Sequence, residues 1–355
     1  AENRELREEI YRAYISRASD IGITPEEFDN RNIMNEILEL RLELSKLLGL
    51  SNYAEYSVQS KMVESPEEVI RFLENLVDLS LSQAKKELID LEVFAGHTLM
   101  PWDLMFYSEK LKQKMFDFKK SDLKPFFPES SVLSGLFSTI QRLYSVTLTE
   151  FEQECYHPDV RVIEIKDKRG SIGRIYLDVY ARENKRGGAW MSDFQGLYND
   201  SLPVAFVVCN LNSPKGGKPA LFDFDEIVTL FHEFGHALHH LLTKVTFPCA
   251  AGISGVPWDG VELPSQYMEN FCYERGVIDL ISGHWETGEK LPDELFNKVI
   301  DSKNFQSGLQ MLRQCEFSLW DINTHISNQD TYKVLDSVRE KTTLVPVIDE
   351  NRFLN

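Results

Sequence analysis

Over roughly the first 150 residues, apolar positions recur every three or four places, the spacing that gathers side chains on one face of an α-helix. Four stretches carry it: Ile33 to Leu48, Pro66 to Phe94, Trp102 to Phe118 and Val132 to Tyr144. A further amphipathic helix is already under way at the start, with Leu6, Ile10, Ala13 and Tyr14 on its apolar side. Turn signals such as Gly22-Ile23-Thr24-Pro25 and Lys124-Pro125-Phe126-Phe127-Pro128 separate these stretches. The period then changes. Val162 to Ile165, a Lys168-Arg169-Gly170 turn, and Arg174 to Tyr180 predict a hairpin, because Ile175, Leu177 and Val179 alternate with Arg174, Tyr176 and Asp178. Val204 to Val208 predicts a third strand. Helical spacing returns with Ile227, Leu230, Phe231, Phe234, Leu238 and Leu241, preceded by Asp223 and Glu226 as an N-cap and its reciprocal partner. The expected fold is mainly α with a small β-sheet. It divides into a helical region over 1–157, a small β region over 158–210 and a helical region over 211–355, all parts of one continuous unit.

Composition narrows the class without changing that picture. The chain is 43% hydrophobic and 26% charged, as globular proteins are, and no apolar run approaches the roughly 18–20 residues of a membrane span. A formal charge of −18 argues against nucleic acid as a partner; its plain meaning is solubility, with an acidic cleft that attracts basic peptides as the alternative. Ala1-Glu2-Asn3-Arg4-Glu5 has no apolar core of a secretory signal, and five cysteines without a Cys-x-x-Cys favour reduced thiols and a cytoplasmic setting. There is no linker-like, repeated or low-complexity stretch, and a monomer is expected.

The candidate chemistry sits in His232-Glu233-Phe234-Gly235-His236. Residues i and i+4 of a helix lie on one face about 6 Å apart along the axis, so both imidazoles can reach one metal ion. Glu233 flanks the pair, poorly placed as a ligand but well placed to take a proton from water. A catalytic zinc wants a third protein ligand and an open position. Glu262 is the candidate, because Pro264 suits the first turn of a helix that continues through Glu269, Asn270 and Tyr273. Gln266 and Glu269 share the face of Glu262 and could orient a histidine or the water, although a solvated helix face explains them equally well. His239 and His240 read as packing residues or as supports for a ligand, and not as ligands themselves. Leu242 stands where a metzincin would place its third histidine.

Other readings exist. His232 and His236 could be ordinary helix histidines, which would leave Glu233 without a purpose. Glu233-Phe234-Gly235-His236 together with Glu154-Cys155-Tyr156-His157 could be the paired Glu-x-x-His of a di-iron carboxylate protein, but Pro158 marks a helix end and His232 then has no role. Cys249 has no peptidase signature around it and reads as a core thiol.

Three segments together resemble the M3 (thimet) family of zinc oligopeptidases: Phe231 to Leu242, Gly252-Ile253-Ser254-Gly255-Val256-Pro257-Trp258-Asp259, and Val261-Glu262-Leu263-Pro264-Ser265-Gln266. Tyr180-Ala181-Arg182, Lys185-Arg186-Gly187-Gly188-Ala189-Trp190 and Gly216-Gly217-Lys218-Pro219-Ala220 extend the resemblance over essentially the whole chain. It implies a zincin-like (gluzincin) catalytic domain with residues 1–157 in a channel wall, one Zn2+ per chain on His232, His236 and Glu262, Glu233 as general base, and short peptides as substrates. It also implies a strand edge beside the metal helix that pairs with substrate, near Gly187, Gly188 and Trp190. Family members continue past a segment like Asn351-Arg352-Phe353-Leu354 into a stretch bearing Tyr and His donors. The chain is therefore expected to be a middle fragment, with a catalytically impaired fragment that binds only zinc and peptide as the alternative outcome.

Overall fold

The computed structural model describes all residues except 22–24, 117–118, 200, 328 and 353–355. The turn expected at Gly22-Ile23-Thr24, the helix end expected at Phe118 and the segment Phe353-Leu354 therefore lie outside the described residues.

Five helices open the chain: α1 (Arg4–Ile15), α2 (Arg31–Leu47), α3 (Tyr53–Val58), α4 (Pro66–Ala95) and α5 (Pro101–Phe116). Helix α4 begins where sequence chemistry asks it to, with the Ser65 side chain accepting from the Glu68 N–H and Pro66 in the first turn. Next come α6 (Lys120–Leu123), α7 (Glu129–Tyr144), β1 (Thr147–Phe151), β2 (Arg161–Asp167), β3 (Gly170–Tyr180), β4 (Trp190–Gln195) and β5 (Val204–Leu211). The chain then runs through α8 (Phe224–Leu241), α9 (Leu263–Glu269), α10 (Arg275–Ile281), α11 (Asp293–Ser302), α12 (Ser307–Ile326) and α13 (Thr331–Thr342). The fold is thus mostly helical with one small mixed sheet, and two strands go beyond the sequence expectation. β1 is half-exposed along its length, and β4 has sheet on one side only, so neither carries a clean apolar alternation.

Two compact units result, Ala1–Asp117 with Asp301–Asn355, and Phe118–Ile300. The regional bounds read from the sequence at residues 157 and 210 both lie within the second unit. The cause is a long-range pairing. In the first unit Leu312, Cys315 and Leu319 of α12, with Val338 of α13, bury Val77 and Ala84 of α4. No local periodicity announces that return. Two buried charges are paired in the same unit. Fully buried Asp103 holds Arg4 at 2.7 Å and Arg7 at 2.9 Å, and Glu316 holds Arg339 at 2.9 Å.

The sheet of the second unit has the order β1-β2-β3-β5-β4. β3 and β5 are parallel, and every other neighbour is antiparallel. Ile175 pairs with Ile163 on one side and Ala205 on the other, so the alternating face read from the sequence lies mid-sheet. Ile175, Leu177 and Val179 are buried in one cluster with Leu133, Leu136 and Ile140 of α7 and Ile227, Leu230, Phe231 and Phe234 of α8. That cluster fixes α8 against the sheet. At the β4 margin, one edge has no strand neighbour among the described residues.

Candidate metal centre

Helix α8 starts on a complete capping box: the Asp223 carboxylate accepts from the Glu226 N–H at 3.0 Å, and Glu226 accepts from the Asp223 N–H at 2.7 Å. With its start fixed and its apolar stripe buried, the helix turns His232 and His236 the same way. Their ring centroids are 4.8 Å apart and their planes cross at 82°. Glu262, at the N-cap of α9, meets both. Its Oε2 lies 3.2 Å from His232 Nε2 and 3.1 Å from His236 Nε2, and the candidate ligand atoms of the three residues all lie within 4.8 Å of one another. Ser265 Oγ donates to Glu262 Oε2 at 2.8 Å and orients the carboxylate. A half-exposed carboxylate over a buried and a half-buried histidine leaves one side of the cluster open to solvent.

Close approach of α9 depends on a residue that sequence reasoning passed over. A Cβ on Gly235 would lie 2.5 Å from Ser265 Cα and 2.6 Å from the Pro264 carbonyl oxygen. Both are backbone atoms, so only glycine lets α9 come near enough to present Glu262. Nothing in one sequence distinguishes that glycine from any other residue between Glu233 and His236.

The surrounding residues separate into those that reach the cluster and those that do not. Glu269 Oε1 lies 2.6 Å from His232 Nδ1, while Gln266 is exposed on α9 and its side chain makes no hydrogen bond to either histidine among the described residues. Glu233 is buried, and burial raises the pKa of its carboxyl; the charge of Glu262 adds to the rise, while His232 and the Met191 backbone N–H oppose it. Burial also lowers the pKa of His236, which favours neutral imidazole, the form that ligates metal. Its Nδ1 is buried without a hydrogen-bond partner among the described residues. His240 is buried with Nε2 2.9 Å from the Gln195 carbonyl oxygen, tying the end of β4 to α8. Two imidazole nitrogens and one carboxylate oxygen converging on one open point form a donor set that suits zinc.

Beside α8 runs the free edge of β4. Trp190, half-buried, opens that strand opposite Val208, with the Arg186 guanidinium 6.0 Å from its ring. Gly187 and Gly188 are exposed just before it, and Gly188 has φ of 97°. The same turn is held by Lys185 from within and, around it, by Asn210 of β5 and Asp178 of β3, roles the sequence did not show. Asn210 Nδ2 donates to the carbonyls of Arg186 and Gly188, both at 2.7 Å. Lys185, with 6% of its side chain exposed, donates to Asp178 Oδ1 at 2.8 Å, the Tyr180 carbonyl at 2.7 Å and the Cys209 carbonyl at 2.6 Å. Asp178 also receives Arg182 at 2.6 and 2.7 Å. Burial alone would raise the Asp178 pKa, but Arg182, Lys185 and Tyr156 outweigh it and hold it at about 2. A buried polar residue at the end of a strand was the available signal.

Two sequence readings are corrected. Glu154 to His157 lie in irregular chain after β1, with Glu154 exposed and His157 paired with Asp159 at 3.8 Å, so no helix bundle exists there for a di-iron centre. Cys249 is exposed on a short turn, Pro248–Ala250, instead of buried in the core.

Similarity to known proteins agrees with this geometry. Peptidase family M3 matches residues 1–353. Oligopeptidase A of Escherichia coli (strain K12) is 47% identical over 361 residues, covering 98% of this chain and 53% of that protein. Dipeptidyl carboxypeptidase of the same organism is 34% identical over 333 residues, 91% of this chain and 48% of that protein. Saccharolysin of Saccharomyces cerevisiae is 30% identical over 322 residues, 84% of this chain and 45% of that protein. The chain spans about half the length of the curated relatives it matches. With the match running over nearly all of its residues, this chain belongs to peptidase family M3.

Proposed function

We propose that the chain carries the centre of a zincin-like (gluzincin) metallopeptidase that hydrolyses peptide bonds in short oligopeptides, with one Zn2+ held by His232, His236 and Glu262. The observation that carries this reading is the convergence of two Nε2 atoms on a single Glu262 oxygen, at 3.1 and 3.2 Å. A zinc ion held there supplies Lewis acidity to a scissile carbonyl and acidifies water. Everything else falls to the chain's own side chains. Glu269 accepts the Nδ1 proton of His232, which fixes the tautomer with Nε2 free to ligate. Glu233 is a buried carboxylate with raised proton affinity, suited to take a proton from attacking water and return it to the leaving amine. No covalent intermediate is required. Trp190, Gly187 and Gly188 lie along the strand edge where an extended peptide can pair. We place the protein in the cytoplasm as a monomer that acts on peptides; no helix among the described residues is long and apolar enough to cross a membrane.

The test combines metal analysis with turnover of a quenched fluorescent peptide. Wild type is expected to hold one zinc per chain and to cleave, with cleavage lost in chelator. Glu233→Gln is expected to keep the zinc and lose at least about 100-fold in turnover. Retained turnover in Glu233→Gln would show that the base is elsewhere. Zinc and peptide binding without turnover in wild type would reduce the proposal to a binding unit.

A further inference from the structure

The turn that feeds the edge strand is held by a side chain instead of by the sheet. The β4–β5 ladder begins at Trp190 and Val208, and Asn210 lies two residues further along β5. A carboxamide nitrogen has two hydrogens to donate, and Asn210 directs its own to the Arg186 and Gly188 carbonyls, each at 2.7 Å. Lys185 anchors the other end of the same turn to the ends of β3 and β5 through Tyr180 and Cys209. Between these anchors Gly187 and Gly188 have open space where a Cβ would stand, so the turn is pinned while its backbone surface stays bare.

We propose that Asn210 is a positioning residue for the peptide substrate: by holding the Arg186 and Gly188 carbonyls it fixes the backbone from Gly187 to Met191 as an edge on which an extended peptide can lie. The proposal rests on the peptidase reading of the metal centre. Asn210 stands away from the reacting bond, so its loss is felt where a substrate is long enough to use the edge. An edge that must be ordered at each binding event lowers affinity without changing the chemical step.

The test uses the zinc-loaded chain and two variants, Asn210→Ala and the isosteric Asn210→Asp, which replaces both donors by acceptors. For a quenched fluorescent octapeptide, KM is expected to rise about 10-fold in both variants with kcat within about twofold, whereas kcat/KM for a blocked tripeptide changes by less than about twofold. Hydrogen exchange at 187–191 is expected to quicken while the melting temperature holds. Faster exchange there with an unchanged octapeptide KM overturns the proposal, as does an equal fall in kcat for both substrates. If zinc-loaded wild type cleaves no peptide, the peptidase reading fails by itself, and octapeptide affinity by fluorescence anisotropy decides this proposal. A tenfold weaker complex in Asn210→Ala upholds it and equal affinity overturns it.

Discussion

Replacing Gly235 by alanine tests whether helix contact, and not only ligand identity, makes the metal centre. The added Cβ would sit 2.5 Å from Ser265 Cα, where ordinary contact starts at 3.4 Å, so α9 must retreat by about 0.9 Å. The obstacle is backbone, and no rotamer change relieves it. Zinc ligands hold their distances to roughly ±0.2 Å, so a displacement of that size at the N-cap of α9 takes Glu262 out of reach of a cation that both histidines grip. Zinc affinity is expected to fall about 10- to 100-fold, the scale seen when a supporting residue of a metal site is lost. Overpacking of a tight contact costs about 1–3 kcal/mol, so the melting temperature of the metal-free protein should drop by roughly 2–10 °C. Competition against a fluorescent zinc chelator and thermal melts in excess chelator give the two numbers. Zinc affinity within twofold of wild type, with an unchanged melt, would refute the claim that glycine is needed for α9 to deliver its carboxylate.

Two further outcomes follow from the charges around the site. Glu269→Ala removes the acceptor 2.6 Å from His232 Nδ1 and is expected to weaken zinc binding about 10- to 100-fold in the same competition assay, while Gln266→Ala, on the exposed side of α9, leaves it within twofold. Asp178 has a folded pKa of about 2 against 3.8 for the free group. A lowered carboxyl pKa stabilises the fold above the unfolded value, and that stabilisation disappears as pH falls from 3.8 through about 2. Asp178→Asn should therefore cost about 2 kcal/mol or more at pH 7 and progressively less below pH 4, read from denaturant melts across pH. A penalty that does not change with pH would mean the site is sensitive to shape alone.

The parts of the structure legible in the sequence are those governed by neighbours along the chain. The Asp223 and Glu226 pair and the stripe from Ile227 to Leu241 gave α8 its start and its buried face, and four residues of spacing were enough to put His232 and His236 together. Alternation at Ile175, Leu177 and Val179 gave β3. Contacts between distant segments left no such trace. β4 carries Trp-Met-Ser-Asp-Phe-Gln, whose outer side has no strand beside it among the described residues and therefore no pattern to show. The parallel pairing of β3 with β5 depends on the path of the chain between them. Asn210 and Lys185 are ordinary polar residues until the carbonyls they hold are brought within 2.6–2.7 Å. Gln266 and Glu269, equivalent as neighbours on one helix face, are told apart only by the rotation of α9 against α8.

The discontinuous make-up of the first unit bears on how the nascent protein matures. Residues 118–300 are contiguous and can collapse as soon as they have left the ribosome, whereas α4 waits with Val77 and Ala84 uncovered until α12 and α13 have been synthesised. During that interval a 30-residue helix offers an unsheltered apolar seam to any passing chain. Translation pauses between residue 95 and residue 342 should therefore be tolerated poorly, and chaperones that cover apolar helices should engage the chain until α13 has emerged.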